Sequence, residues 1–276
     1  MIFIWGSIGG WVRALRWHIL LTVEKSIPAI NVFWANMAGY LGNNILPARA
    51  GELIRAMYVS KENNLSASFS LATGFVERIV DLIALIILGS VSLSITEILA
   101  KPLRDALKIV SIIAMIGFVA ILVLPYLKNG LRQIILKLPA LNASTKEKIA
   151  RHLEHFLRGI ESLRHPKRAA TFFLFTSLIW LMDGMGTIIL AHLLHLQFTL
   201  AQAFILLASL GISSAIPSTP GYIGVYQYVA VIILQPFGVS NAHALAFIIF
   251  LQILNILIIG FWGGLAIWRA SSFAKH

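Results

Sequence analysis

Three ionisable residues lie close together inside an apolar stretch of the chain. Glu77, Arg78 and Asp81 fall within Ser66 to Ser94, a segment that is otherwise apolar and long enough to cross a bilayer with some tilt. On a helix, Glu77 and Asp81 share a face at i,i+4, and Arg78 reaches Asp81 at i,i+3. A charge at the bilayer centre costs at least about 2.5–3.5 kcal/mol, so each group needs a partner or a wet cavity. The three residues could line a path for a charged headgroup, form a proton relay, or make a structural ion pair.

A second charged group follows an interruption of another apolar segment. Arg49, Glu52 and Arg55 are spaced at i, i+3 and i+6. The interruption itself contains two asparagines, a proline and a glycine: Asn43, Asn44, Pro47 and Gly51. Arginine is the residue best shaped to bind phosphate at two points, and a lipid phosphate is the expected ligand at this depth. The alternative is that these arginines extend to the membrane surface, where positive charge is expected anyway.

The interruption has a counterpart in the other half of the chain. Residues 43–51 and 213–221 each read as two small polar residues, two apolar residues, a proline, three residues and a glycine. Proline removes a backbone donor and glycine permits a sharp reversal, so Pro217, Pro220 and Gly221 predict a second break. Paired breaks of this kind indicate a transporter built from repeats, with broken helices at its binding site. The alternative is two ordinary loop boundaries.

The remaining candidates are weaker. Asp183 stands alone in an apolar segment, and the neighbouring Gly184 and Gly186 favour close helix packing there. His192 and His195 have helical spacing, but no carboxylate accompanies them, so we expect no metal ion. The sequence also contains no nucleotide-binding loop and no hydrolase motif, and we expect no cofactor.

These residues must be positioned by helices in a membrane. Apolar residues make up 58% of the 276 residues and charged residues only 12%, against about 25% in an average soluble domain. The mean hydropathy is +0.85. Cysteine is absent, which excludes disulfides, thiolate metal sites and a cysteine nucleophile. The composition predicts a polytopic α-helical membrane protein and excludes a secreted, disordered or nucleic-acid-binding protein.

The positive charge is concentrated in one segment. Residues 128–168 contain ten lysines and arginines but three acids, which accounts for +7 of the net charge of +11. Such a segment between apolar spans is expected to be cytoplasmic, as is the C-terminus after Arg269. Within it, apolar residues at helical spacing predict an amphipathic helix.

The chain is therefore expected to form one membrane domain over residues 1–276. We expect about six to eight transmembrane segments, including two broken or re-entrant helices, in an arrangement compatible with an inverted repeat. The first half covers residues 1–127 with its break near 43–52, and the second covers 169–276 with its break near 213–227.

Three motifs in order resemble one known family. Asn44 to Ala56 (NILPARAGELIRA), Val76 to Asp81 (VERIVD) and Pro217 to Gln227 (PSTPGYIGVYQ) are similar to signatures of the flippase-like, lysylphosphatidylglycerol-synthetase transmembrane-region family. The resemblance covers nearly the whole chain. It implies an integral membrane protein of bacteria or archaea, of a kind thought to move lipids or lipid-linked sugars between leaflets.

The chain departs from the family pattern at two positions. The family commonly has glycine where Tyr222 stands and glutamate where Gln227 stands. Gln227 is neutral, so it cannot perform a function that needs the charge of that glutamate. We expect no aminoacyl-transferase domain after residue 276, so the resemblance implies the flippase part without the synthetase part. The chain also begins inside what resembles an early span, so we expect that an N-terminal helix is missing from it.

The main hypothesis is a lipid translocase of the bacterial inner membrane that binds membrane lipids or a lipid-linked sugar. Arg49 and Arg55 would attract the phosphate and Glu77, Arg78 and Asp81 would line or gate the path, with further contacts from Asn43, Asn44, Glu52 and Gln227. One alternative is a transferase that uses a polyprenyl-linked donor, with Glu52 or Asp81 as base. Another is a non-catalytic regulator of a membrane complex. The lipid, direction, energy source and homo-oligomeric state stay open.

Overall fold

The chain folds into helices throughout the part that the structure describes. This structure is a computed structural model, and it describes residues 2–46, 50–96, 142–214 and 219–273, with residues 109, 112–120, 123–127, 130 and 133 between them. The longer helices in those ranges are α1 (Ile2–Leu21), α2 (Ala29–Ile45), α3 (Gly51–Asn63), α4 (Ala67–Ile95), α5 (Ala143–Glu161), α6 (Pro166–Leu193), α7 (Leu200–Ser213), α8 (Val225–Leu234) and α9 (Asn241–Phe273).

Three of these helices are long and apolar enough to cross a membrane. They are α4, α6 and α9, with mean hydropathies of 2.1, 1.7 and 2.6 over their most apolar windows. The prediction of an all-helical, multi-pass membrane protein is therefore confirmed. The apolar segment from Leu107 to Leu127, whose length and composition also predict a span, lies partly outside the described residues. Its described part is helical at 112–120 and forms a 3₁₀ turn at Leu124–Leu127.

The first interrupted segment forms an antiparallel pair of helices, α2 and α3. Near the open end of the pair, Asn31 Nδ2 donates to Asn63 Oδ1 at 2.9 Å. Near the break, Gly39 has no room for a side chain, since a Cβ there would lie 2.7 Å from Arg55 Cβ and 2.8 Å from Gly51 O. The glycines thus let the two helices approach closely enough to place Arg55 against α2.

The second interrupted segment is formed by α7 and α8. Helix α7 begins with a capping box, in which Thr199 and Gln202 each bond to the other's backbone N–H. The chain then passes through a 3₁₀ turn at Pro220–Tyr222, and α8 starts after Gly224, whose φ is +88°. Helix α7 runs against α4, where a Cβ at Gly89 would lie 2.7 Å from Ala208 Cβ.

The two interrupted segments contact each other. Helix α2 packs against the 3₁₀ turn at Pro220–Tyr222. A Cβ at Gly221 would lie 3.9 Å from Asn44 Oδ1, so the end of α2 and this turn are neighbours. The breaks of the two halves therefore lie at one place in the fold, while the inverted repeat itself stays a prediction.

The amphipathic segment contains helix α5, which packs against α4. Its buried side chains include Leu157 and Ile160. A Cβ at Gly159 would lie 3.2 Å from the backbone nitrogen of Thr73, which shows how closely the two helices approach. Arg158 on this helix remains exposed and lies 3.6 Å from Glu154. Helix α5 thus covers the helix that carries Glu77, Arg78 and Asp81.

Candidate functional site

Six charged side chains from three helices form a closed ring, which we call the charge ring. Helix α1 supplies one residue, α3 two and α4 three. Each arginine contacts two acids and each acid contacts two arginines. In order around the ring, the members are Arg16, Glu77, Arg55, Glu52, Arg78 and Asp81.

Arg16 joins α1 to α4. Its Nε lies 3.1 Å from Glu77 Oε1, and its Nη1 and Nη2 lie 2.5 and 2.9 Å from the two oxygens of Asp81. Nη1 also lies 3.4 Å from Thr176 Oγ1 on α6. The Arg16 side chain is 4% exposed, so these partners replace its hydration.

The guanidinium of Arg55 has contacts at all three of its nitrogen atoms, and its side chain is less exposed than that of Arg16. Its Nε lies 2.7 Å from Glu52 Oε2, and its Nη1 lies 2.9 Å from Glu77 Oε2 and 3.1 Å from Asn36 Oδ1. Its Nη2 donates to Gly74 O at 3.4 Å. With 1% of its side chain exposed, Arg55 is inaccessible to a ligand in this arrangement.

Arg78 closes the ring on its more open side. Its Nε lies 2.9 Å from Glu52 Oε1, whereas its Nη1 is 3.7 Å from Asp81 Oδ2, beyond hydrogen-bond distance. Its side chain is 32% exposed. The charge ring thus has a dry side, formed by Arg16, Arg55 and Glu77, and an open side at Arg78.

The open side faces a cavity of about 390 Å³ between the two halves of the chain. Helices α4, α6, α7, α8 and α9 all contribute to its wall. Leucine, isoleucine and glycine make up most of the lining. The polar side chains in the wall are Arg78, Asp81, Trp180, Ser214, Tyr226 and Asn255.

The charge ring lies deep in the span. Asp81 is 14 residues from either end of the 29-residue helix α4. At 1.5 Å per residue, it lies about 21 Å from each end. Helix α3 brings Glu52 to this depth because it starts at Gly51, immediately after the first break. The charges predicted to need partners inside the membrane therefore have them.

The other predicted site residues lie around the ring or beside the breaks. Asn43 Nδ2 lies 3.4 Å from Glu52 Oε1, and Asn44 caps the end of α2 by donating to Tyr40 O at 3.0 Å. Arg49, Pro47 and Pro217 lie outside the described residues.

Gln227 belongs to the second break and does not contact the charge ring. Its Oε1 accepts from Gly224 N at 2.7 Å, and its Nε2 donates to Gln252 Oε1 at 2.6 Å. Gln252 in turn donates to Gly221 O at 3.0 Å, so the three groups fix the turn against α9. Tyr222 in this turn has φ +59°, a left-handed conformation that favours the glycine expected from the family pattern.

Two arginines of α1 were not predicted as site residues. Besides Arg16, Arg13 pairs with the isolated Asp183 at 2.5 Å, which joins α1 to α6. A helix that buries two arginines among apolar neighbours needs anionic partners, and the unmatched Asp183 was the available signal. Sequence spacing cannot show these contacts, because Arg13 and Asp183 are 170 residues apart.

A further ion pair lies at the ends of α3 and α9, away from the cavity. Arg269 Nη2 lies 2.5 Å from Glu62 Oε1 and 3.4 Å from Asn31 Oδ1. Burial raises the pKa of the Glu62 carboxyl, although the Arg269 guanidinium acts in the opposite direction. This pair fastens the last helix to the α2–α3 pair.

Long apolar helices with a neutralised polar site at their centre define a multi-pass membrane protein that holds charge inside the bilayer. The chain belongs to the lysylphosphatidylglycerol synthase TM region family, whose model matches residues 1–263. The resemblance noted from the three motifs is therefore confirmed. The chain is also similar to a UPF0104 membrane protein of Methanocaldococcus jannaschii, with 27% identity over 227 residues that cover 81% of this chain and 91% of that protein. No solved structure matches the chain.

Proposed function

We propose that this protein is a lipid translocase whose cavity receives the phosphate-bearing headgroup of a membrane lipid. The observation that carries the proposal is Arg78, a partly exposed guanidinium near the middle of a long apolar helix. It faces a cavity whose wall is otherwise mostly apolar. A charge at that depth is expensive, and such residues mark substrate pathways in membrane proteins.

In this proposal the phosphate is bound by Arg78 and not by Arg55, the residue to which the sequence analysis assigned that role. Arg55 is enclosed by Glu52, Glu77 and Asn36, so a phosphate could reach it only after those contacts broke. Arg78 has one short contact, to Glu52, and a longer one to Asp81. A lipid phosphate can replace the longer contact without opening the dry side of the ring.

The charge ring then forms a polar surface of the cavity against which the headgroup binds, and this surface does not move. Arg16, Glu77 and Arg55 hold α1, α3 and α4 together and stay in place. Leucine side chains on the other walls suit the adjoining acyl chains. The two halves of the chain separate at the breaks that meet near Asn44 and Gly221. The basic segment at 128–168 lies on the cytoplasmic side of a bacterial inner membrane.

The transferase alternative gains no support from the site. A general base would need a carboxylate that can take up a proton beside the substrate. Glu52 is bound by Arg55 and Arg78, and Asp81 by Arg16 and Arg78. Both carboxylates are thus held in their charged form by two arginines each.

A lipid-scrambling assay in proteoliposomes tests the proposal. Fluorescent phosphatidylglycerol is placed in both leaflets, and dithionite is added to bleach the outer one. Wild-type protein should let the fluorescence fall below the half that remains in empty vesicles. Arg78→Gln should slow this loss at least tenfold, since it removes the exposed charge. Arg158→Gln, which changes an exposed arginine on α5, is the matched control and should keep the wild-type rate.

Two results would overturn the proposal. One is that vesicles containing the wild-type protein bleach no further than empty vesicles, even when a pH or potassium gradient is imposed in either direction. The other is an Arg78→Gln protein that is folded by its circular dichroism and scrambles at the wild-type rate.

A further inference from the structure

The wall of the cavity contains a buried indole N–H without an acceptor. Trp180 lines the cavity, and its Nε1 atom is buried and finds no hydrogen-bond partner among the described residues. The indole N–H is a donor only, so it cannot be satisfied by another donor. Buried polar groups are almost always paired, and an unpaired one calls for an explanation.

Trp180 lies on the face of α6 that is turned towards α1, the helix that carries Arg16 of the charge ring. Thr176 and Asp183 are its i−4 and i+3 neighbours, so all three share a face. Thr176 Oγ1 accepts from Arg16 at 3.4 Å, and Asp183 pairs with Arg13 at 2.5 Å. Trp180 stands between these two contacts, one helical turn from each.

The carboxylate that lines the cavity, on Asp81, is already paired. Both oxygens of Asp81 are held by Arg16, at 2.5 and 2.9 Å. The cavity wall therefore contains a partly exposed guanidinium at Arg78 and an indole at Trp180 whose N–H donor is unused. Two donors beside one space fit a ligand with several acceptor oxygens.

We propose that Trp180 Nε1 and the Arg78 guanidinium form the two-donor subsite for the phosphate. This inference rests on the proposed function and adds the second phosphate-binding residue to it. A phosphate offers at least two oxygens, of which Arg78 takes one through a charge-assisted bond and Trp180 takes another. The phosphate belongs to a lipid because most of the remaining wall is apolar, with Leu82, Leu85, Leu207, Leu210 and Leu251 in it.

A binding experiment on the purified full chain in dodecyl maltoside tests the subsite. The probes are phosphatidylglycerol, diacylglycerol with the same acyl chains, and inorganic phosphate, each titrated and followed by native mass spectrometry or thermal shift. Trp180→Phe should raise the Kd for phosphatidylglycerol about tenfold, because one hydrogen bond to a charged group is lost. Trp268→Phe is the matched control, since Trp268 is 70% exposed, and should leave the Kd unchanged.

A second variant separates the hydrogen bond from packing. Trp180→benzothienylalanine keeps the bicyclic shape and replaces the N–H with sulfur, so it should weaken binding as Trp180→Phe does. Wild-type affinity in this variant overturns the role of Trp180, even if Trp180→Phe binds poorly.

The probes separate failure of this inference from failure of the proposed function. If Arg78→Gln loses phosphatidylglycerol but both Trp180 variants keep it, the Trp180 donor is wrong and the translocase proposal stands. If wild-type protein binds diacylglycerol as tightly as phosphatidylglycerol, the phosphate is not recognised, and both the Trp180 inference and the proposed function are wrong. If inorganic phosphate binds as tightly as phosphatidylglycerol, the ligand is free phosphate and the lipid source is overturned.

Discussion

Arg16 on α1 and Asp81 on α4 meet through two parallel hydrogen bonds of 2.5 and 2.9 Å, although 65 residues separate them in the chain. This two-point contact is the geometry in which a guanidinium and a carboxylate bind most strongly. It places the only α1 member of the charge ring against the helix that supplies three of the six ring residues. The relationship explains how charges at this depth are stabilised.

Removing Arg16 should strongly destabilise the protein. Arg16→Gln leaves Glu77 and Asp81 without a shared cation in a dry site, and breaking a buried ion pair costs about 3–5 kcal/mol. Equilibrium unfolding in mixed micelles would measure the loss in unfolding free energy. Arg164→Gln, at an exposed position beside Glu161, serves as the control and should change it by less than about 0.5 kcal/mol.

A methyl group at Gly39 should separate α2 from α3. Gly39→Ala forces its Cβ against Arg55 Cβ and Gly51 O, so unfolding free energy should fall by about 1–3 kcal/mol. Gly264→Ala adds the same methyl group to α9 where nothing lies within 4 Å, and should be neutral or slightly stabilising. Equal behaviour of the two variants would contradict the close approach at Gly39.

The pair between Arg13 and Asp183 should show a measurable coupling. Both side chains are about a quarter exposed, so we expect a coupling energy of about 1 kcal/mol rather than the larger value of a dry pair. A double-mutant cycle with Arg13→Gln and Asp183→Asn, read by thermal unfolding, gives this energy. Strict additivity of the two single changes would mean that the pair is not formed.

The contact between the two breaks can be trapped by a cross-link. The chain contains no cysteine, so Asn44→Cys combined with Gly221→Cys introduces one defined pair, and oxidation should join the two positions. Asn44→Cys with Gly238→Cys is the matched control, because Gly238 also has a positive φ but a Cβ added there would meet nothing within 4 Å. If the halves must separate during transport, the cross-link should stop scrambling and a reductant should restore it.

Placing a charge at Gln227 should weaken the second break. In Gln227→Glu the carboxylate can still accept from Gly224 N, but it repels Gln252 Oε1 and forces that amide to turn. Gly221 O then loses its donor, and unfolding free energy should fall by about 1 kcal/mol at neutral pH and recover as the pH falls. Gln197→Glu, at an exposed position, should show neither effect.

The spans were predictable because hydropathy is a local property of the sequence. The predicted segment Ser66 to Ser94 corresponds to α4 (Ala67–Ile95), and the apolar segment around Asp183 corresponds to α6 (Pro166–Leu193). The break at Gly51 also followed from local residue types, since α3 begins there.

The closure of the charge ring was not predictable in the same way. Local spacing relates Glu77, Arg78 and Asp81 to one another, but the contact of Arg16 with Glu77 joins residues 61 apart. Residue type likewise makes Arg55 and Arg78 equal candidates for phosphate. Only the packing of α2 and α3 shows that Arg55 is enclosed, whereas Arg78 is open.

The charge ring contains three guanidinium groups and three carboxylates, so its net charge is zero. A membrane potential of 100 mV acts on each displaced elementary charge with about 2.3 kcal/mol. Movement of the intact ring therefore carries no gating charge, and voltage does no work on it. For a lipid bound at Arg78, the electrical driving force is set by the charge of that lipid and of any ion that accompanies it.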